Sequence, residues 1–155
     1  MTSLVQHANN RKIWLNLRDR FPHPYTKADG AAFLRTVHGM NPETFFAIVV
    51  GEAAVGGIGY VLRPDVERVS AEMGYWLGEA FWGQGIATDA VLGVTRYAIA
   101  QHGLTRVFAL PFAHNGSSCR VLEKAGYVLE ARLPRSAVKD GIIQDQCQYA
   151  YYAPT

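Results

Sequence analysis

Two glycines one residue apart, Gly83 and Gly85, constrain this chain more than any other feature of its 155 residues. They follow a strand-like apolar stretch over residues 70–77 and precede a helix-like run that ends at His102, with Gly103 placed to close it. Glycine lets a backbone approach a ligand closely. A helix N-terminus adds unpaired N–H groups and the positive end of the helix dipole. Strand, glycine turn and helix therefore make an anion site suited to a pyrophosphate. An ordinary glycine-rich turn looks the same, so the glycines alone leave both readings open. A Walker A loop ends in Gly-Lys-Ser/Thr, which is absent here. A dinucleotide fingerprint needs a third glycine where Thr88 stands.

The flanking pattern indicates the fold class. Apolar residues over 4–17 predict a loosely amphipathic helix, broken by Pro22 and Pro24. Thr26 is placed to cap a second helix through Val37. Strands follow over 44–50 and 53–63, joined at Gly51-Glu52, and glycines 56, 57 and 59 mark a bulge or a close backbone approach. After the helix to His102 come a short strand over 106–110, a short helix over 117–124, and strands over 127–138 and 142–152 joined by Lys139-Asp140-Gly141. Hairpins mixed with crossovers imply an α+β fold, a mixed sheet covered by helices. The length predicts one domain over residues 1–155.

Composition narrows the function classes. A net charge of +2 does not suggest a nucleic-acid binder. No apolar run approaches the roughly 20 residues of a membrane helix, and no signal peptide opens the chain. Cys119 and Cys147 make neither a disulfide framework nor a metal cluster, and they fit a reducing cytoplasm.

Two blocks carry a resemblance. Ala71-Glu72-Met73-Gly74-Tyr75-Trp76-Leu77 followed by Phe81-Trp82-Gly83-Gln84-Gly85-Ile86-Ala87-Thr88-Asp89-Ala90 resembles the central motif of the GNAT acetyltransferase superfamily. Asn115-Gly116-Ser117-Ser118, continuing through Val121-Leu122-Glu123-Lys124-Ala125-Gly126-Tyr127, resembles its second block in the RimJ/RimL-like branch, which acetylates protein N-termini among other amines. The family implies a mostly antiparallel central sheet flanked by helices. Its usual first strand has no counterpart before the opening helix here. Trp82 stands where the superfamily usually has Gln or Arg.

The resemblance implies acetyl-CoA as co-substrate and a primary amine as acceptor, a protein N-terminus or a small molecule such as a polyamine, amino acid or antibiotic. A CoA-binding module without catalysis is the third reading, and no metal is implied. The backbone of Tyr75, Trp76 and Leu77 is expected to pair with the pantetheine arm, like an added strand. Trp82, Gly83, Gln84, Gly85, Ile86, Ala87 and Thr88 form the expected pyrophosphate cradle. Asn115 is either a pantetheine contact or a helix cap. Ser118 matches the family serine that helps protonate the departing thiolate. Glu72 is the candidate base in a partly apolar cleft, directly or through a water. Residues 135–138 offer no glutamate for the base role that some relatives place there. An unpaired sheet edge favours contacts between two copies of the chain.

Overall fold

The computed structural model describes all residues, 1–155. The first segment forms two short helices, α1 (Thr2–Ala8) and α2 (Arg11–Trp14), rather than one. The break lies at Asn9-Asn10. Asn10 is extended, and its side chain accepts the Lys12 N–H at 2.8 Å. Asparagine competes for backbone groups inside a helix and favours the cap position. This corrects the single helix over 4–17. Helix α3 (Lys27–His38) starts at Thr26 as predicted, with Thr26 and Asp29 forming a reciprocal capping box.

Strands β1 (Phe45–Val50), β2 (Ala53–Leu62), β3 (Ser70–Leu77), β4 (Arg106–Ala109), β5 (Val128–Lys139) and β6 (Ile142–Tyr152) form one sheet in the order β1-β2-β3-β4-β6-β5. Only β3 and β4 run parallel, so the sheet is mixed and mostly antiparallel. Asp140 and Gly141 both take positive φ in the β5–β6 turn, as a tight hairpin with right-handed strand twist requires.

Helices α4 (Ile86–His102) and α5 (Gly116–Lys124) cover one face of the sheet. Ile58, Tyr60, Met73 and Leu77 from the sheet and Val91, Ala98 and Leu122 from the helices share one buried core. Helix α1 packs against β2, and Phe21, between α2 and α3, lies 5.7 Å from the Trp76 ring. Successive β3 side chains alternate between faces. Met73, Tyr75 and Leu77 thus face α4 and α5, while Glu72 and Trp76 face the N-terminal segment.

Two irregularities shape the centre. Val55 is an extra residue on β2, since Ile48 opposes Gly56 and Val49 opposes Ala54. The following glycines allow close approach. A Cβ at Gly56 would lie 2.4 Å from the Trp76 carbonyl oxygen, and one at Gly57 would lie 2.8 Å from the Trp76 indole nitrogen. The second irregularity is a parting of strands. β3 pairs with β4 only from Ser70 to Glu72, opposite Arg106 to Phe108, and beyond Glu72 the strands diverge.

Candidate active site

The parting of β3 from β4 leaves main-chain groups of β3 facing an open cleft. Arg63 N–H donates to Ser70 O at 3.0 Å, and Gly78 N–H donates to Val55 O at 2.7 Å. Antiparallel pairing alternates along a strand, so the even-numbered residues of β3 bond to β2. Tyr75 and Leu77 turn their N–H groups to the cleft. Trp76 points its own toward β2, which corrects its expected backbone role toward a ligand. The Leu77 carbonyl is also engaged, accepting the Trp82 indole N–H at 2.7 Å.

That indole bond ties the glycine loop to the end of β3. Gln84 adds a second tie, its side chain donating to Ala80 O at 3.2 Å. Gly83 and Gly85 have φ of +74° and +80°, and an added Cβ at either would enter open space. Only glycine takes this conformation without strain. Gly85 is the N-cap of α4, and the amides of Ile86, Ala87 and Thr88 in the first turn have no intrahelical acceptor. The loop thus presents open backbone donors beside free space, a fit for a pyrophosphate.

Across the cleft stands α5. Ser118 Oγ lies 2.7 Å from the Tyr75 hydroxyl, and that hydroxyl also donates to Ser118 O at 3.3 Å. Burial pushes the Tyr75 phenol up to about 12, against a smaller lowering by the Ser118 bond and a further raising by Cys119. Asn115 is the N-cap of α5, accepting the Ser118 N–H at 3.3 Å through Oδ1. Its side-chain NH2 makes no protein hydrogen bond and remains available to a ligand carbonyl.

Glu72 lies on the opposite face of β3 from this pair. Its carboxylate is 3.5 Å from the Arg18 guanidinium. It lines a cavity of ≈ 350 Å³ with Arg63, Ser70, Arg106, Phe108 and Gln148. Charged and polar groups surround it, in place of the partly apolar cleft expected from sequence. Arg106 is itself neutralised by a two-pronged pair with Glu130, at 2.8 and 2.5 Å. The structure therefore gathers Tyr75, Ser118 and Asn115 on one side of the cleft and sets Glu72 on the other. Sequence reasoning missed the Tyr75 hydroxyl and Arg18. No group of three or more His, Cys, Asp or Glu is placed to hold a metal ion, and no helix is long and apolar enough to cross a membrane.

The family model of the acetyltransferase (GNAT) domain matches residues 2–128. The chain belongs to the GNAT acetyltransferases. Among curated GNAT relatives is the uncharacterized N-acetyltransferase YoaA of Bacillus subtilis (strain 168), 30% identical over 100 residues, or 64% of this chain and 56% of YoaA. The chain spans about half the length of the curated relatives it matches. Two solved GNAT structures show the fold. RimJ of Mycobacterium smegmatis, in complex with CoA-disulfide, superposes with a TM-score of 0.84 at 21% identity, covering 97% of this chain and 75% of that one. The microcin C7 self-immunity acetyltransferase MccE, in complex with acetyl-CoA and AMP, superposes with a TM-score of 0.82 at 20% identity, covering 98% and 85%.

Proposed function

We propose that this GNAT chain, as a single domain over residues 1–155, is an acetyl-CoA-dependent N-acetyltransferase that moves the acetyl group to a primary amine by direct attack in a ternary complex. The parted strands carry this reading. The cleft beyond Glu72 has open amides at Tyr75 and Leu77, the glycine loop at one end, and the Tyr75–Ser118 pair on its wall.

The amides of Ile86, Ala87 and Thr88 hold the pyrophosphate, and Tyr75 and Asn115 meet the pantetheine arm. The Leu77 N–H polarises the thioester carbonyl as an oxyanion donor. Glu72 takes the proton of the amine, directly or through a water. Ser118 and Tyr75 stabilise the leaving thiolate. A phenol raised to about 12 does not give its whole proton to a thiolate whose thiol has pKa ~8.5. The pair therefore acts by hydrogen bonding, and the amine's own proton balances the reaction.

The resemblance to the RimJ/RimL-like branch supports a protein N-terminus as acceptor, and MccE, crystallised with AMP, supports a small molecule. Free cysteines and this donor fit the cytoplasm. Strand β1, at the sheet edge and without a charged residue, is the place for a second copy to pair. The test is acetyl-CoA turnover with peptides bearing free N-termini and with small amines, beside calorimetric CoA binding. CoA binding without acetylation of any amine would leave only a binding module. No CoA binding would remove the loop assignment.

A further inference from the structure

Arg18 follows α2, and its guanidinium reaches across the point where β3 and β4 part. It lies 3.5 Å from Glu72 on β3, donates to Leu110 O just after β4 at 3.4 Å, and sits 6.0 Å over the Phe112 ring. Its backbone is held firmly on both sides. Asn16 bonds His114 at 3.1 Å, and Asp19 pairs with Lys139 at 2.9 Å. Lys139 is itself buried, with its ammonium 3.9 Å over the Trp14 ring. The contacts made by the guanidinium itself are long, and its side chain is 43% exposed. An ion pair of this kind contributes at most about 1 kcal/mol.

We infer that Arg18 occupies the seat of the acceptor's ammonium against Glu72, and that a primary ammonium group displaces it on binding. This rests on Glu72 being the proton-accepting group of the proposed reaction. An alkyl amine has a pKa of about 10.4 and reaches the site as a cation. The one cation within ion-pair distance of Glu72 is Arg18. The other nearby cations have carboxylates of their own, Arg63 with Glu67 at 3.6 Å and Arg106 with Glu130. Moving one exposed guanidinium frees the carboxylate, and the cavity walled by Ser70, Phe108 and Gln148 receives the rest of the acceptor. Arg18 thus competes with the acceptor and sets a minimum affinity that a bound amine must exceed.

The test uses n-butylammonium chloride as the minimal probe, titrated by NMR into protein saturated with CoA. Arg18→Gln is expected to lower its Kd by up to about fivefold, the share set by a surface ion pair. The same change in a Glu72→Gln background is expected to produce no gain. With n-butylamine as substrate, the gain is expected in KM. An unchanged or raised Kd in Arg18→Gln overturns the inference, as does a fall in kcat that marks Arg18 as a group positioning Glu72. Failure of the unaltered protein to bind CoA overturns the proposed function instead, so the two failures are distinct.

Discussion

The Tyr75 hydroxyl on β3 and the Ser118 hydroxyl on α5 stand 2.7 Å apart across the cleft. This bond joins a strand side chain to the first turn of a helix whose cap, Asn115, also holds the Ser118 amide. The two hydroxyls form one donor unit.

Tyr75→Phe removes the phenol hydroxyl of that unit and leaves Ser118 Oγ without its partner. The expected result is a fall in kcat of about 10²-fold, the lower end for losing one hydrogen-bond donor to a developing negative charge, with CoA affinity nearly unchanged. Ser118→Ala is expected to cost less, because the Tyr75 hydroxyl remains. With the phenol raised to about 12, kcat is expected to show no Tyr75 titration between pH 6 and about 10. Steady-state kinetics across that range check all three outcomes, and a larger loss in Ser118→Ala would reverse the assignment of roles.

Much of this site is legible in the sequence, for a physical reason. Gly83 and Gly85 take positive φ, which glycine adopts without steric cost, so the turn is written in residue identity. Asn115 as helix cap is likewise a local signal. The remaining features depend on distant partners. The alternation of β3 is local, but what its faces meet, α5 at Tyr75 and Arg18 at Glu72, is recorded in no local pattern. Arg18 is 54 positions from Glu72 in the chain. The break between α1 and α2 was available in Asn9-Asn10, yet the apolar periodicity of residues 4–17 runs through it.

The left-handed geometry of Gly85 gives a second prediction. Gly85→Ala forces an L-residue to φ +80°, at a cost of about 1–2 kcal/mol, and places a methyl where the pyrophosphate would approach the first turn of α4. CoA affinity is expected to fall at least tenfold by calorimetry while the far-ultraviolet circular dichroism stays native. Gly93→Ala, inside α4 with nothing near its added Cβ, is expected to leave CoA affinity alone. Equal effects of the two changes would disconnect the loop from the cofactor.

A buried pair outside the Tyr75–Ser118 hydrogen bond separates stability from activity. Thr95 Oγ1 lies 2.6 Å from the Tyr127 hydroxyl and donates to Val91 O, with Thr95 fully buried between α4 and the sheet. Thr95→Val keeps the shape but strands the Tyr127 hydroxyl. The expected loss is about 1–3 kcal/mol of unfolding free energy in urea. kcat at low temperature is expected to stay within twofold, since neither residue hydrogen-bonds to Tyr75 or Ser118. A large loss of kcat without a loss of stability would point instead to a role for Tyr127 in catalysis.

The Arg106–Glu130 pair predicts the response to acid. Glu130 is held at about 2, below its ordinary 4.5, chiefly by the Arg106 hydrogen bonds and then by Gln148 and Tyr152, against the opposing effect of burial. A carboxylate depressed in the folded state adds stability that is fully present above about pH 4.5. That contribution is lost as pH falls from about 4.5 toward 2, because the unfolded chain takes up the proton first. Glu130→Gln removes this dependence and also leaves the Arg106 guanidinium without its anion. The variant is expected to be less stable by about 2 kcal/mol at pH 7, with the difference from the unaltered protein shrinking between pH 4.5 and 3. Thermal unfolding at a series of pH values checks this. A constant gap down to pH 3 would show that Glu130 acts through packing rather than through its charge.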